Sequence, residues 1–145
     1  MQRSDILLMA VATAGDSGLS PVQLQKTLFL VGQSGLDAVP SDFYAFEPYN
    51  YGPFSKLVYE DADSLAQQGL VGRASVPGQT WAKYVITGKG EQRSREVEAE
   101  TKAPLREYIG RVVAWVQDLS FNELLRSVYK AYPDYRRNSV FQESL

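Results

Sequence analysis

The residues best suited to chemistry in this chain are aromatic. The run Phe43-Tyr44-Ala45-Phe46-Glu47-Pro48-Tyr49-Asn50-Tyr51-Gly52-Pro53-Phe54-Ser55 sets six rings within thirteen residues, in a chain holding 9 Tyr, 6 Phe and 2 Trp. Tyrosine rings offer a large contact area at low entropic cost, which suits a stacking or peptide-binding face. The plainer account puts these rings in the core. Both accounts hold if the phenylalanines lie inside and some tyrosines stand at the rim. Tyr49, Asn50 and Tyr51 fall in a turn and are the residues expected at the surface. With Lys56 they form the candidate partner-binding set. Pro53 biases Gly52 away from helical angles, and glycine itself admits conformations closed to other residues. The turn therefore has a fixed base from which neighbouring side chains project.

Catalysis has little to work with. The 145 residues include no histidine and no cysteine, which removes imidazole acid–base chemistry, thiolate nucleophiles, disulfides and Cys/His zinc sites. Glu60, Asp61 and Asp63 are one to three residues apart, so on a helix they do not all converge on one point. Gly88-Lys89-Gly90 lacks the spacing of a phosphate-binding loop. The expectation is a protein that is not an enzyme, with no catalytic residues, no metal and no cofactor.

Charge weighs against broad nucleic-acid binding. Lys plus Arg total 15 against 17 Asp plus Glu, a net charge of -2. The segment 54–69 carries Lys56 against Glu60, Asp61 and Asp63, and carboxylates facing phosphates repel them. The residues left for DNA contact are Arg73 and Lys83 in a hairpin and Arg136 and Arg137 near the C-terminus. Arg93 and Arg95 lie among glutamates on what reads as a solvated helix.

These residues need a scaffold, and its elements are legible. Ser4 is placed to cap a helix over 5–14, with Ile6, Met9, Ala10 and Thr13 at helical spacing. Ser20-Pro21-Val22-Gln23 is a complete start signal for a second helix with Leu24, Leu28 and Val31 inward. Residues 42–49 read as a short extended segment, Asn50 to Pro53 as a turn, and about 54–68 as a third helix with Leu57, Val58, Ala62 and Leu65 inward. Gly69 is a helix C-cap. Leu70–Val76 and Trp81–Thr87 flank Val76-Pro77-Gly78-Gln79, a type II turn signal, and form a hairpin. A charged helix over 89–102 follows, then helices from Pro104 and from the capping box Ser120-Phe121-Asn122-Glu123, the last stopped by Pro133.

The fold class expected is α+β, mostly helical: a winged helix-turn-helix-like unit over 1–87, with a β-hairpin, and a helical extension over 88–145 sharing one core. The size suits a single domain. No stretch approaches the ~18 apolar residues of a membrane span, and the N-terminus does not lead into a signal peptide, so a cytoplasmic location is expected.

Three stretches resemble a known family. Leu24-Gln25-Lys26-Thr27-Leu28-Phe29-Leu30, then Pro48 to Ser55 with Val58-Tyr59 and Gln68-Gly69-Leu70-Val71, look like the bacterial and phage YwgA-like proteins, and more remotely the SocA or Panacea domain of antitoxins. Leu125 to Tyr135, with Ser139 after it, looks like the family's C-terminal Tyr-Pro motif. Where the antitoxin relatives tend to carry tryptophan, this chain has Tyr49. The resemblance implies a winged-helix-like scaffold and, for the antitoxin relatives, restraint of a toxin through protein contact. It implies no catalytic residues. The expected function is a phage-associated or antitoxin-like interaction protein that binds a protein partner, such as a toxin or a phage or defence component. The alternative is a DNA-binding transcriptional regulator. A homodimer through an apolar surface of the C-terminal helices is compatible with either.

Overall fold

The computed structural model describes residues 1–141, so the last four residues of the 88–145 extension lie outside the described residues. The architecture is mostly helical with two small antiparallel hairpins. Six helices, α1 (Arg3–Ala14), α2 (Pro21–Gln33), α3 (Lys56–Gln67), α4 (Gly88–Glu100), α5 (Ala103–Asp118) and α6 (Phe121–Ala131), are joined by strands β1 (Glu47–Tyr49), β2 (Gly52–Phe54), β3 (Val71–Ser75) and β4 (Ala82–Ile86).

Helix α1 is the hub. Ile6 through Val11 are buried without a break, and α2, α3, α4, α5 and β4 all pack on it. A helix apolar all round is a core helix, so the expected stripe of Ile6, Met9, Ala10 and Thr13 is too narrow and Thr13 itself is exposed. The helix also starts earlier than Ser4 suggests. Gln2 is the cap, and its backbone N–H donates to Asp5 Oδ2 at 3.0 Å.

Helix α2 starts as its sequence dictates. Ser20 Oγ accepts from Gln23 N–H and Gln23 Oε1 accepts from Ser20 N–H, at 3.1 and 2.8 Å. The end of α3 is likewise as expected. Gly69 (φ +76°) donates to Ala66 O and Leu70 N–H to Leu65 O, a Schellman closure.

Two expectations between these helices fail. Gly52 and Pro53 do not end a turn that leads directly into a helix. They form β2, paired with β1 in the register Glu47↔Phe54, Pro48↔Pro53 and Tyr49↔Gly52, so that Asn50 and Tyr51 alone make the turn. Pro48 and Pro53 sit opposite one another in a two-stranded ribbon, where a missing N–H is tolerated. Helix α3 then begins at Lys56 and presents Leu57 outward, 40% exposed, while Val58, Ala62 and Leu65 are buried.

The extended segment before α3 pairs with β2, and the second hairpin is joined from elsewhere. What joins it is Leu19, between α1 and α2, whose N–H donates to Tyr84 O at 3.0 Å and whose carbonyl accepts from Tyr84 N–H at 2.8 Å. The β3–β4 hairpin keeps the expected turn, with Gln79 N–H donating to Val76 O and Gly78 at φ +79°.

The carboxylates of α3 are not a uniformly solvated face. Asp61 Oδ2 accepts from Arg3 Nε at 2.9 Å and from the Tyr44 hydroxyl at 2.6 Å, and the Arg3 guanidinium lies over the Tyr44 ring. Asp63 forms an ion pair with Arg73. The N-terminus and the α2–β1 connection are thereby tied to α3.

Residues 88–141 pack into the same core as the rest: Val97, Leu105, Ile109 and Val113 join the α1 cluster. A second cluster gathers Val112, Val116, Leu124 and Val128 around Phe29. Two glycines in the first turn of α4 separate packing from propensity. A Cβ on Gly90 would lie 1.9 Å from Leu70 O, whereas one on Gly88 would meet nothing within 4 Å. Gly90→Ala is expected to lower stability by about 1–3 kcal/mol or more, because backbone must move. Gly88→Ala should leave it unchanged or raise it slightly. Urea denaturation of the two variants checks both.

Candidate functional site

Parts of the three stretches singled out in the sequence meet at one place, the β1–β2 hairpin, whereas the part Gln68 to Val71 bonds to Thr87 and Lys89 beside the other hairpin. The anchor of the β1–β2 hairpin is α2, whose residues Leu24 to Phe29 are all buried. Gln25 meets the backbone of Ser55 with both ends of its amide: Nε2 donates to Ser55 O and Oε1 accepts from Ser55 N–H, both at 2.9 Å. Next to it, Lys26 is 2% exposed and its Nζ donates to Pro53 O at 3.1 Å. Gly52 (φ +91°) passes so close that a Cβ there would stand 3.3 Å from both Lys26 Cε and the Tyr129 ring. Glycine is required there both by the angle and by the space.

The C-terminal stretch closes the far side. Tyr129 Oη and Ser139 Oγ are 2.6 Å apart, Ser139 Oγ donates to Asn50 O at 3.2 Å, and Val140 N–H donates to Asn50 O at 2.9 Å. Tyr132 and Tyr135 pack edge-on against Phe29, with ring centroids 4.9 and 4.7 Å away.

Two concavities adjoin this junction. A cavity of about 220 Å³ is lined by Val22, Gln25, Lys26, Tyr49, Asn50, Tyr51, Gly52, Phe54 and Tyr59. A larger groove of about 660 Å³ runs past the N-terminus of α2, walled by Tyr51, Tyr59, Trp81, Lys83 and Phe121. Tyr51, Trp81 and Phe121 remain 44%, 37% and 46% exposed, and the Tyr51 and Phe121 rings meet edge-on at 5.6 Å.

Of the expected partner-binding residues, Tyr49 and Tyr51 are exposed and line the cavity, and Tyr51 also lines the groove. Asn50 is half-buried, and its carbonyl is taken by Ser139 and Val140. Lys56 is exposed in the first turn of α3 and is not among the residues lining either concavity.

The expected DNA-contact residues do not form one patch. Arg73 pairs with Asp63 and stacks 5.7 Å above the Tyr84 ring. Arg73 is cross-strand partner to Tyr84, and Lys83 to Ala74, so alternation sends Arg73 and Lys83 to opposite faces of the hairpin. Lys83 turns towards the groove. Arg136 and Arg137 are exposed in and just after the 3-10 turn Pro133–Arg136. Among the described residues there is no group of three Asp, Glu, His or Cys able to hold a metal ion, and no helix long and apolar enough to cross a membrane.

Sequence reasoning passed over Lys26, Gln25, Trp81 and Phe121. Lys26 carried a signal, because its helical neighbours four residues away are Val22 and Leu30, an apolar face for a charged residue. Trp81 and Phe121 carried none, since a ring beside a turn or a cap reads equally well as core. No family model matches the chain, and no curated protein matches it.

Burial pushes the Lys26 amine down to about 7, while it raises the Tyr59 phenol to about 12 and the Tyr129 phenol as well. The consequence for stability has a definite sign. The unfolded chain holds the Lys26 proton up to an ordinary lysine value, whereas the fold releases it near neutrality. Between those two values the native state binds fewer protons, so unfolding becomes harder as pH rises. Stability is expected to increase from about pH 7 to about pH 9, by up to about 1.4 kcal/mol per pH unit. Lys26→Met should flatten this rise without loss of stability at neutral pH. Urea titrations across that pH range would show it.

Proposed function

We propose that this chain is a partner-binding domain that acts by contact rather than by catalysis, receiving a segment of another protein in the aromatic groove. The observation that carries the reading is the convergence of Tyr51, Trp81 and Phe121. They come from segments far apart in sequence, stay more than one-third exposed, and wall one groove. Exposed aromatic rings around a concavity are the composition of protein-binding hot spots. The rings also stand on rigid supports: a hairpin tied to α2, a second hairpin paired to Leu19, and the capped start of α6.

The scaffold supports a winged-helix reading. Helix, a strand-like bridge at Leu19, helix, helix and hairpin follow in that order, with the β1–β2 hairpin inserted between the second and third helices. Within that reading α3 would be the helix offered to DNA, but its outward cation Lys56 is balanced by Glu60, and Arg73 of the hairpin beside it is taken up by Asp63, so no net positive face is offered. Protein contact is therefore favoured over the regulator alternative. The likeness of the Leu-Gln-Lys, Tyr-Gly-Pro and Tyr-Pro stretches to YwgA-like and antitoxin proteins supports a partner of the toxin, phage or defence kind. A cytoplasmic location belongs to the same reading.

The test is co-expression with the product of the neighbouring gene, followed by affinity measurement on Tyr51→Ala/Phe121→Ala and on Trp81→Ala. Partner affinity is expected to fall by about thirtyfold or more, as for residues worth about 2 kcal/mol. The melting temperature should hold, because these rings are exposed. Tight retention of promoter DNA that weakens steeply with salt and is lost in Arg136→Ala/Arg137→Ala, without any protein partner, overturns the proposal.

A further inference from the structure

The small cavity beside the groove contains a buried amine whose hydrogen-bonding capacity the fold leaves mostly unused. Lys26 Nζ carries up to three N–H donors, and among the described residues its one hydrogen bond goes to Pro53 O. Among the described residues lining the cavity Lys26 is the single charged one, and desolvation is what lowers its basicity. Gln25 beside it turns its amide to Ser55, Nε2 donating to Ser55 O and Oε1 accepting from Ser55 N–H. A tether to one carbonyl does not require a charge, and an apolar side chain of this length would bury at lower cost. The amine is therefore better explained by an acceptor that enters the cavity from outside.

We infer that this cavity is a carboxylate site, in which Lys26 Nζ donates to the ligand's carboxylate while its apolar body lies against Tyr49, Tyr51 and Tyr59. A carboxylate is the complement of an unpaired ammonium and accepts both remaining N–H groups, and pairing a desolvated charge is worth more than pairing an exposed one. The tyrosine rings and Val22 supply the apolar walls. Two sources share this chemistry. One is an acidic side chain or terminal carboxylate of a partner segment, since the cavity and the groove have Val22, Tyr51 and Tyr59 in common. That source rests on the partner reading above. The other is a free small carboxylic acid, which does not.

Binding at this site is linked to protons. The titratable groups around the amine are phenols: Tyr49 and Tyr51 from the β1–β2 hairpin, Tyr59 from α3, and Tyr129 from α6 behind Gly52. Burial raises both Tyr59 and Tyr129, which keeps them uncharged near neutrality. A bound carboxylate holds the ammonium form, so above about pH 7 each binding event takes up a proton and affinity falls with rising pH, by up to about tenfold per unit.

The experiment is calorimetric and NMR titration of the whole chain with benzoate and phenylacetate, against benzamide and phenylacetamide as uncharged twins. A second arm uses a short apolar peptide bearing one glutamate, with its glutamine twin. The expected result is saturable binding of carboxylates at about pH 6.5, at least tenfold weaker at about pH 8.5. Proton uptake, read in two buffers of different ionisation enthalpy, should accompany binding near neutral pH. Lys26→Met should abolish binding while the melting temperature holds or rises. Proton uptake by the unaltered chain keeps the test decisive if that variant misfolds. Binding of the free acids assigns the site to small molecules, and binding of the glutamate peptide alone assigns it to a partner segment. The proposal is overturned if no carboxylate binds in either arm, or if binding is indifferent to pH, to amide replacement and to Lys26→Met. A partner that binds Lys26→Met as tightly as the unaltered chain removes the partner-borne source and leaves the partner-binding proposal intact.

Discussion

Helix α2 buries two adjacent polar side chains, Gln25 and Lys26, and the backbone of residues 53–55 supplies their hydrogen-bond partners. A buried amide or amine without a partner costs several kcal/mol at the upper end. The β1–β2 hairpin therefore cannot leave α2 without stranding both. The Gln25 side chain meets Ser55 as an adjacent strand would, with one donor and one acceptor. That pairing sets where β2 ends and where α3 begins. It also sets how Tyr49 and Tyr51 project, because the turn between the strands is only Asn50 and Tyr51.

Around this junction the fold is organised by α1. Its unbroken burial from Ile6 to Val11 means that every neighbouring element finds apolar surface on it. The polar ties lie at its edges. Arg3, Tyr44 and Asp61 close the start of α1 against α3, and Gln117 Nε2 donates to Ala14 O and Gly18 O near its end. With α1 as a common floor, the two hairpins and the start of α6 rise on different sides of the α2 N-terminus without filling the space between them. The groove is what remains, and its exposed rings are apolar surface that a folded core of this size had no need to leave open.

An acidic composition for α3 suggests a repulsive, solvated helix, yet two of its three carboxylates are paired, one with Arg3 and Tyr44 and the other with Arg73. Pairing neutralises them locally and removes Arg73 from any patch directed outward. Lys83 lies on the other face of the same hairpin, beside the groove. The cations that the sequence suggests as a set are thus divided by strand alternation, a property of register that composition does not carry.

Local signals in the sequence determined the helix starts at Ser20 and Ser120, the Schellman end at Gly69, the type II turn at Gly78 and the identity of most core residues, because caps, turns and apolar periodicity act within a few residues. They also determined that Gly52 is a glycine for conformational reasons. They did not determine that Gly52 to Phe54 is a strand, that Leu19 is the residue paired to the second hairpin, or that Leu57 faces out, because each depends on what packs across from it. The site divides along the same line. Tyr49 and Tyr51 were legible as exposed residues, but as turn residues only Tyr51 was read rightly, since Tyr49 is the last residue of β1. Lys26 had an apolar neighbourhood in sequence, but only the tertiary structure placed the Pro53 carbonyl, the tyrosine walls and a cavity around its amine. The groove was not legible at all, since Tyr51, Trp81 and Phe121 are brought together by long-range packing on α1 and α2, and no local rule distinguishes an exposed ring from a buried one before that packing exists.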